Sequence, residues 1–500
     1  MTISTFWLPD ERPRWNDHLA IVLGALIWLW PVTHGPLPQF WPNWVAWVCA
    51  IAIVFLLKES PCRTPSVIAG WLVAAAVSAV LAVLQYLDLG HWLSSVMAAA
   101  DPGYGYANTR QSNHLASLLA AGMAALVWCR QTGRLVPHSW WLGVLLATGL
   151  ATTASRGGAL QMLVICGLGL YWNRKDPRKI AGWLACLVVT YIAATSALPW
   201  LLQTFHDVEG GRNFLDRWAV ESTCSSRKIL WSNVLDIIQR KPWTGWGWGN
   251  LGFASYDTLH DGMRFCTYFT NAHNLPLHLA AELGIPVAII FSVALCACVL
   301  YLRPWNLTEP APQLIFGILI VLGLHSFLEF PLWFGNFQSM LVFLIWICLS
   351  DQYFFRNAKS TPASFSIRNR NLLGFLLSCY LLALAWDYVR VSQLYLPYAE
   401  RLNIYKDNTM EKVKFSVFHR DQIIFALVVA TDPNSSNAEM LLNGALQALH
   451  ISPEPRVIER VIVSASILGH QDLVDYHSIR YKANWPTEYG KWISSQRGER

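Results

Sequence analysis

The run Asn271-Ala272-His273-Asn274-Leu275-Pro276 ends a long polar segment and opens an apolar one. Pro276 fits the first turn of a helix, and Asn274 fits its N-cap. His273 would then stand just outside the positive end of a helix dipole, which disfavours the imidazolium and leaves the ring able to accept a proton. Further along, His278 and Glu282 lie four residues apart on one helical face. Two readings fit that pair: part of a site, or a buried polar contact holding neighbouring helices.

Four further clusters carry polar chemistry. Asn108-Thr109-Arg110-Gln111-Ser112-Asn113-His114 enters an apolar run. At a helix N-terminus Gln111, Asn113 and His114 suit an anion or a sugar; alternatively Ser112 or Asn113 simply caps the helix. Thr152-Thr153-Ala154-Ser155-Arg156-Gly157-Gly158 wedges Arg156 between two apolar runs. A guanidinium there is costly unless it meets an anion or snorkels to an interface. The segment from about 204 to 274 holds Arg212, Arg217 and Arg227, and the planar forks of Arg212 and Arg227 match a diphosphate. It continues with Pro242-Trp243-Thr244-Gly245-Trp246-Gly247-Trp248-Gly249-Asn250, whose indole faces could stack on sugar rings or anchor the segment at a membrane edge. This alternation is no dinucleotide fingerprint, because no strand and helix of a βαβ unit flank it. In His325-Ser326-Phe327-Leu328-Glu329-Phe330-Pro331-Leu332-Trp333, His325 and Glu329 share a face one turn apart. No HExxH, P-loop or C-x-x-C is present, and the carboxylates of the long segment include no D-x-D pair, so neither a metal nor a cofactor is expected.

The elements that position these residues follow from composition. With 54% hydrophobic residues, 14% charged residues and a mean hydropathy of +0.33, the chain is a membrane protein rather than a string of soluble domains. Its net charge of +6 contains no basic run of five, which argues against nucleic acid as a partner. Apolar stretches long enough to cross about 30 Å of hydrocarbon lie near 18 to 33, 41 to 57, 66 to 87, 112 to 129, 137 to 154, 157 to 172, 180 to 203, 275 to 301, 313 to 334, 337 to 350 and 371 to 388. The pattern predicts an all-α polytopic protein with about eleven transmembrane helices. Residues 1–388 form the membrane domain, and 389–500 form a soluble helical domain. The first apolar stretch has no A-x-A-like cleavage site after it.

Orientation follows from lysine and arginine bias. With the N-terminus in the cytoplasm, fifteen basic residues fall in cytoplasmic segments, and only Arg110 and Arg156 fall in the short loops opposite. An odd number of crossings leaves the tail outside, together with the segment from 204 to 274. Of eleven cysteines only Cys224 and Cys266 lie in that external segment. The topology predicts a disulfide between them, closing a loop of roughly 40 residues and contributing about 3 to 4 kcal/mol; two free, buried thiols are the alternative. The tail reads as helices near 419 to 430, 436 to 449, 453 to 468, 470 to 482 and 486 to 495, punctuated by Pro433, Pro453 and Pro486. It would receive an acceptor or cap the external loops.

Taken in order, these motifs resemble the O-antigen ligase and polymerase superfamily of bacterial inner-membrane glycosyltransferases. The resemblance rests on Asn113-His114, Ser155-Arg156-Gly157, the spacing from Arg227 and Trp231 to Pro242 and Gly245, and Asn271-Ala272-His273-Asn274 followed by Glu282 and Gly284. The run from His325-Ser326 to Glu329-Phe330-Pro331-Leu332 looks most like the branch of protein O-oligosaccharyltransferases of the PglL type. The resemblance implies an oligosaccharide donor on undecaprenyl diphosphate, drawn from the membrane lipid of the outer leaflet, and an acceptor protein such as a pilin. It implies His273 as general base, with Arg156, Arg227 and Arg212 on the diphosphate and Glu282, His325 and Glu329 in support. A lipid A core ligase or a glycan polymerase would use the same donor; a polysaccharide exporter or flippase is the reading from a different class.

Overall fold

The computed structural model describes residues 6–134, 140–206, 224–266, 268–350 and 367–496, and every regular element among them is a helix. The chain divides into two compact units. One takes residues 1–34, 38–221 and 296–378; the other takes 35–37, 222–295 and 379–500.

The first unit contains α1 (Trp15–Leu29), α2 (Phe40–Leu56), α3 (Arg63–Tyr86), α4 (Ser112–Gln131), α5 (Trp140–Thr152), α6 (Arg156–Trp172) and α7 (Arg178–His206). The helices α8 (Arg227–Arg240), α9 (Leu251–Asp257) and α10 (Leu275–Leu283) belong to the second unit; α11 (Ile285–Leu302) contributes to both, and α12 (Pro310–Ser326) and α13 (Gly335–Ser350) return to the first. Among the described residues, five segments could cross a membrane by length and composition: Arg63–Tyr86, Ser112–Gln131, Arg178–Thr204, Ile285–Asn306 and Asn371–Tyr395. Five more apolar helices are shorter.

In α4, 94% of the most apolar window is buried, against 6% in the span that starts at Ile285. The difference separates two reasons for being apolar. Ala116, Ala120, Ala121, Gly122, Ala124 and Ala125 of α4 are small and buried, so α3, α5, α6 and α12 can pack directly on its backbone. Nearly all of α11 instead faces outward with Ile289, Ile290, Val293 and Leu300 exposed, an arrangement favoured in hydrocarbon and not in water. Buried polar groups tie the helix ends. Asp17 of α1 accepts from Ser60 Oγ at 2.5 Å and Ser66 Oγ at 3.1 Å. At the other end Gln85 and Asn108 satisfy the backbone of the loop before α4: Asn108 Nδ2 donates to Leu29 O and Val96 O, and Gln85 Oε1 accepts from Ala107 N.

One expected span is corrected. The apolar stretch from 275 to 301 is two helices, α10 and α11, separated at Gly284, whose φ of +88° no L side chain adopts comfortably. Hydropathy reads through the break because both sides are apolar. Asn274 does cap α10, accepting from Leu277 N at 3.1 Å, and Pro276 sits in its first turn.

The second unit continues from α14 (Ile367–Ser392), which contributes residues to both units, into α15 (Thr409–Val413), α16 (Arg420–Ala430), α17 (Ala438–Ile451), α18 (Pro455–Ile467), α19 (Gln471–Asn484) and α20 (Pro486–Gln496). From α16 onward each helix packs on the next as a series of hairpins, close to the boundaries the sequence suggests. These hairpins share a core with the segment before α10: Tyr256 of α9 is fully buried among Val428, Leu442, Val461 and Tyr481. The tail and that segment therefore fold as one body.

Candidate functional site

The residues singled out by chemistry fall into two groups, one in each unit. In the first unit Asn113 is the connecting residue. Its Nδ2 donates to Glu329 Oε1 at 2.8 Å, and its Oδ1 accepts from Ser155 Oγ at 2.7 Å. Ser155 Oγ in turn accepts from Gly158 N at 3.0 Å, which makes Ser155 the N-cap of α6 and fixes Arg156 as its first residue, exposed. Gln111 Nε2 reaches Glu329 Oε2 at 3.4 Å. The expected cap of α4 by Ser112 or Asn113 is therefore corrected. Gln111 occupies the N-cap without a side-chain capping bond, and Asn113 is drawn across to a carboxylate more than two hundred residues away in sequence.

His325 and Glu329 do not lie on one helix. The helix α12 stops at Ser326, and Glu329 lies in the turn beyond, its N–H still bonded to His325 O at 2.8 Å. His325 Nδ1 instead meets Ser117 Oγ at 2.8 Å, and Ser117 meets the Gln161 amide at 3.0 Å. The buried His114 ring packs edge-on against His325 at 5.4 Å and Phe334 at 4.2 Å between centroids. Ser117 and Gln161 were not anticipated. A glutamine inside an apolar helix is the signal that would have found Gln161.

The second group is built around α10. His273 has φ +49°, a left-handed turn held by Asn271 Oδ1, which accepts from His273 N at 2.9 Å. The carbonyl of the neighbouring Ala272 accepts from Trp231 Nε1 at 3.1 Å. Trp231 lies one turn after Arg227, which opens α8 behind the cap Ser226. Arg227 and His273 are thus positioned by one connection between α8 and the turn before α10. Arg212 and Arg217 lie outside the described residues.

The glycine-tryptophan segment docks on the end of α10. Trp246 N donates to Ala281 O at 3.0 Å and Gly247 N to Glu282 O at 2.9 Å, so carbonyls that the helix end leaves open are satisfied. Glu282 is buried, lies 3.4 Å from His278 Nε2, and accepts Gly249 N at 3.0 Å and Leu251 N at 3.2 Å. Its carboxylate thereby starts α9. A Cβ on Gly245 would come within 2.3 Å of the Glu282 carbonyl, and one on Gly284 within 2.3 Å of Trp243 O. Of the three indoles Trp246 is packed, its Nε1 donating to Ile237 O, whereas Trp243 and Trp248 are exposed.

Cys224 and Cys266 form a disulfide with Cα atoms 5.1 Å apart. The strand of chain it closes is also sewn to α8 by Asn233, which donates to Met263 O at 3.1 Å and accepts from Phe265 N at 2.8 Å. Nearby His260 sits 2.9 Å from Asp236, yet burial outweighs the carboxylate and holds the imidazole below its ordinary range.

Residues 141–292 match the family model described as O-antigen ligase, and residues 313–498 match the model described as the C-terminal part of a virulence factor membrane-bound polymerase. Over these two segments the chain is similar to the O-antigen ligase and membrane-bound polymerase families. The ligase match spans Arg156, Arg227, His273 and Glu282, and the polymerase match spans His325, Glu329 and the helical tail. Two curated relatives from Acinetobacter baylyi are a general O-oligosaccharyltransferase, 25% identical over 68% of this chain, and a ComP-specific O-oligosaccharyltransferase, 23% identical over 62%. The chain covers 57% and 55% of their lengths. No solved structure matches it.

Proposed function

We propose that this protein transfers an oligosaccharide en bloc from undecaprenyl diphosphate to a Ser or Thr hydroxyl of a periplasmic protein such as a pilin. It acts in the bacterial inner membrane through about eleven crossings, with both polar groups and the helical tail on the periplasmic side. The relatives' printed activities point to this class, and the observation that carries the mechanism is the turn at His273. A histidine held in a left-handed turn at the mouth of a capped helix, with its neighbour's carbonyl tied to the helix that Arg227 opens, has the parts of a base and a phosphate ligand.

In this mechanism the acceptor hydroxyl loses its proton to His273 as its oxygen attacks the anomeric carbon. The bond from that carbon to the diphosphate oxygen breaks, and undecaprenyl diphosphate departs with the electron pair. Arg227, Arg156 and Arg212 are assigned the departing charge, because guanidinium forks match phosphate oxygens. One base and no protein nucleophile give a single displacement with inversion. Gln111, Asn113 and His114 are assigned to the donor's glycan, with Glu282, His325 and Glu329 holding the framework. The transfer needs no metal in this scheme.

The test uses the purified chain in detergent with lipid-linked oligosaccharide and a Ser-containing peptide. One intact glycan added to the peptide is the expected product. His273→Ala should keep the fold and lose roughly 10²- to 10⁴-fold in rate; wild-type turnover by that variant removes His273 as the base. The polymerase match over 313–498 favours one second reading, transfer to a growing glycan, and mass analysis of products from mixed peptide and glycan acceptors separates the two.

A further inference from the structure

The second unit holds a cavity of about 260 Å³ that none of the roles above uses. Its walls are Phe265, Tyr268, Phe269 and Trp485, with Arg264 and Asn484 at the polar end. The cavity joins the disulfide-closed segment to the last turn of α19 within one unit.

Arg264 is held by oxygen atoms that carry no formal charge. Its Nη1 donates to Thr258 O at 3.2 Å, and its Nη2 donates to Ser255 O and to Asn484 Oδ1. Asn484 is itself fixed, its Nδ2 donating to Tyr256 O at 3.1 Å and Arg480 O at 2.8 Å. No carboxylate among the described residues lies within ion-pair distance of Arg264. Those bonds occupy three of the five N–H donors of a guanidinium, so two remain. Burial pushes its pKa down to about 10, which leaves the cation intact at neutral pH but poorly solvated. The arrangement thus presents a fixed, under-compensated positive charge inside an aromatic pocket.

The form of the pocket favours a compact ring over an extended chain. Peptides are commonly recognised through sheet edges or helix grooves, and this cavity offers neither. It offers flat aromatic faces and a few convergent side-chain polar groups, the form of a small-molecule site. Tyr268 is exposed at the mouth, its ring 6.2 Å from that of Trp485. The C–H face of a pyranose can rest on such rings while a ring carboxylate meets Arg264.

We infer that this cavity binds one carboxylated sugar ring of the transferred glycan, stacked on Tyr268 and Trp485 and paired with Arg264. The assignment to that glycan rests on the transfer activity proposed above; the binding chemistry does not.

The full chain in detergent is titrated with three probes: a glucuronic acid oligomer, a neutral glucose oligomer of equal length and a Glu-rich tetrapeptide. Saturation-transfer NMR reads contact without turnover. The uronic acid oligomer should bind, with the neutral oligomer roughly tenfold weaker or worse. Arg264→Gln should abolish that preference, and Tyr268→Ala, at an exposed position, should weaken the acidic oligomer while leaving the fold intact. If Arg264→Gln fails to fold, the Tyr268→Ala comparison decides. Equal binding of the neutral oligomer, preference for the peptide, or wild-type binding by either folded variant overturns the inference. A chain that binds the acid oligomer yet transfers nothing sinks the transfer reading and leaves the pocket; a chain that transfers glycan and binds no probe sinks the pocket alone.

Discussion

The indole N–H of Trp231 donates to the carbonyl of Ala272 at 3.1 Å, so a residue of α8 sets the backbone beside His273. Trp231→Phe keeps most of the ring and removes only that donor. The loss should be about 1 kcal/mol and should appear as faster amide exchange from 271 to 277. Turnover should fall several-fold with little change in KM for the peptide, since a loosened base costs the reacting geometry more than binding. An unchanged rate with unchanged exchange would detach Trp231 from the site.

Asn113 is both donor to Glu329 and acceptor from Ser155. Asn113→Asp can only accept, so two carboxylates would face each other at the 2.8 Å contact. Thermal stability should drop by about 2 kcal/mol or more. Adding Glu329→Gln returns a donor to the contact from the other side and should recover most of the loss. Additive effects of the two substitutions would show that the contact contributes little.

Gly284 has φ +88°, and a methyl there would meet the Trp243 carbonyl. Gly284→Ala should cost about 3 kcal/mol or more and expose the segment 242–250 to protease. A melting temperature within a degree of the parent would mean that the helix break tolerates a side chain.

His477 is buried beside Tyr256, whose hydroxyl lies 2.7 Å from its Nδ1, and burial together with the nearby Arg480 brings its pKa down to about 4. The unfolded chain takes up this proton near pH 6.5, whereas the folded chain refuses it until about pH 4. Below pH 6.5 the unfolded state therefore binds more protons. Stability should fall with pH through that window, by about 3 kcal/mol in all. His477→Gln should flatten the fall in melting temperature between pH 7 and pH 5; a parallel curve would place the acid sensitivity elsewhere.

Much of the local chemistry was legible in the sequence because it is local. The cap at Asn274 and the hairpin boundaries of the tail depend on residues within a turn or two of each other. The pairing of Cys224 with Cys266 followed from their being the two cysteines of one segment. The contacts that escaped are long-range or depend on a single dihedral angle. Nothing near Asn113 indicates that its partner is Glu329, nor near His325 that its partner is Ser117. The break at Gly284 was invisible to hydropathy, which sums side chains and carries no information on φ. The tail's shared core with Tyr256 was equally hidden, since an aromatic in a short helix looks the same whether it faces solvent or another segment.

The Cys224–Cys266 bond has a use apart from stability. A disulfide persists where thiols are oxidised and is lost in a reducing cytosol. Its redox state in membranes from living cells therefore reports which side of the bilayer residues 224–266 occupy. A gel-mobility comparison with and without reductant would make this one covalent bond a built-in compartment marker, independent of any argument from charge.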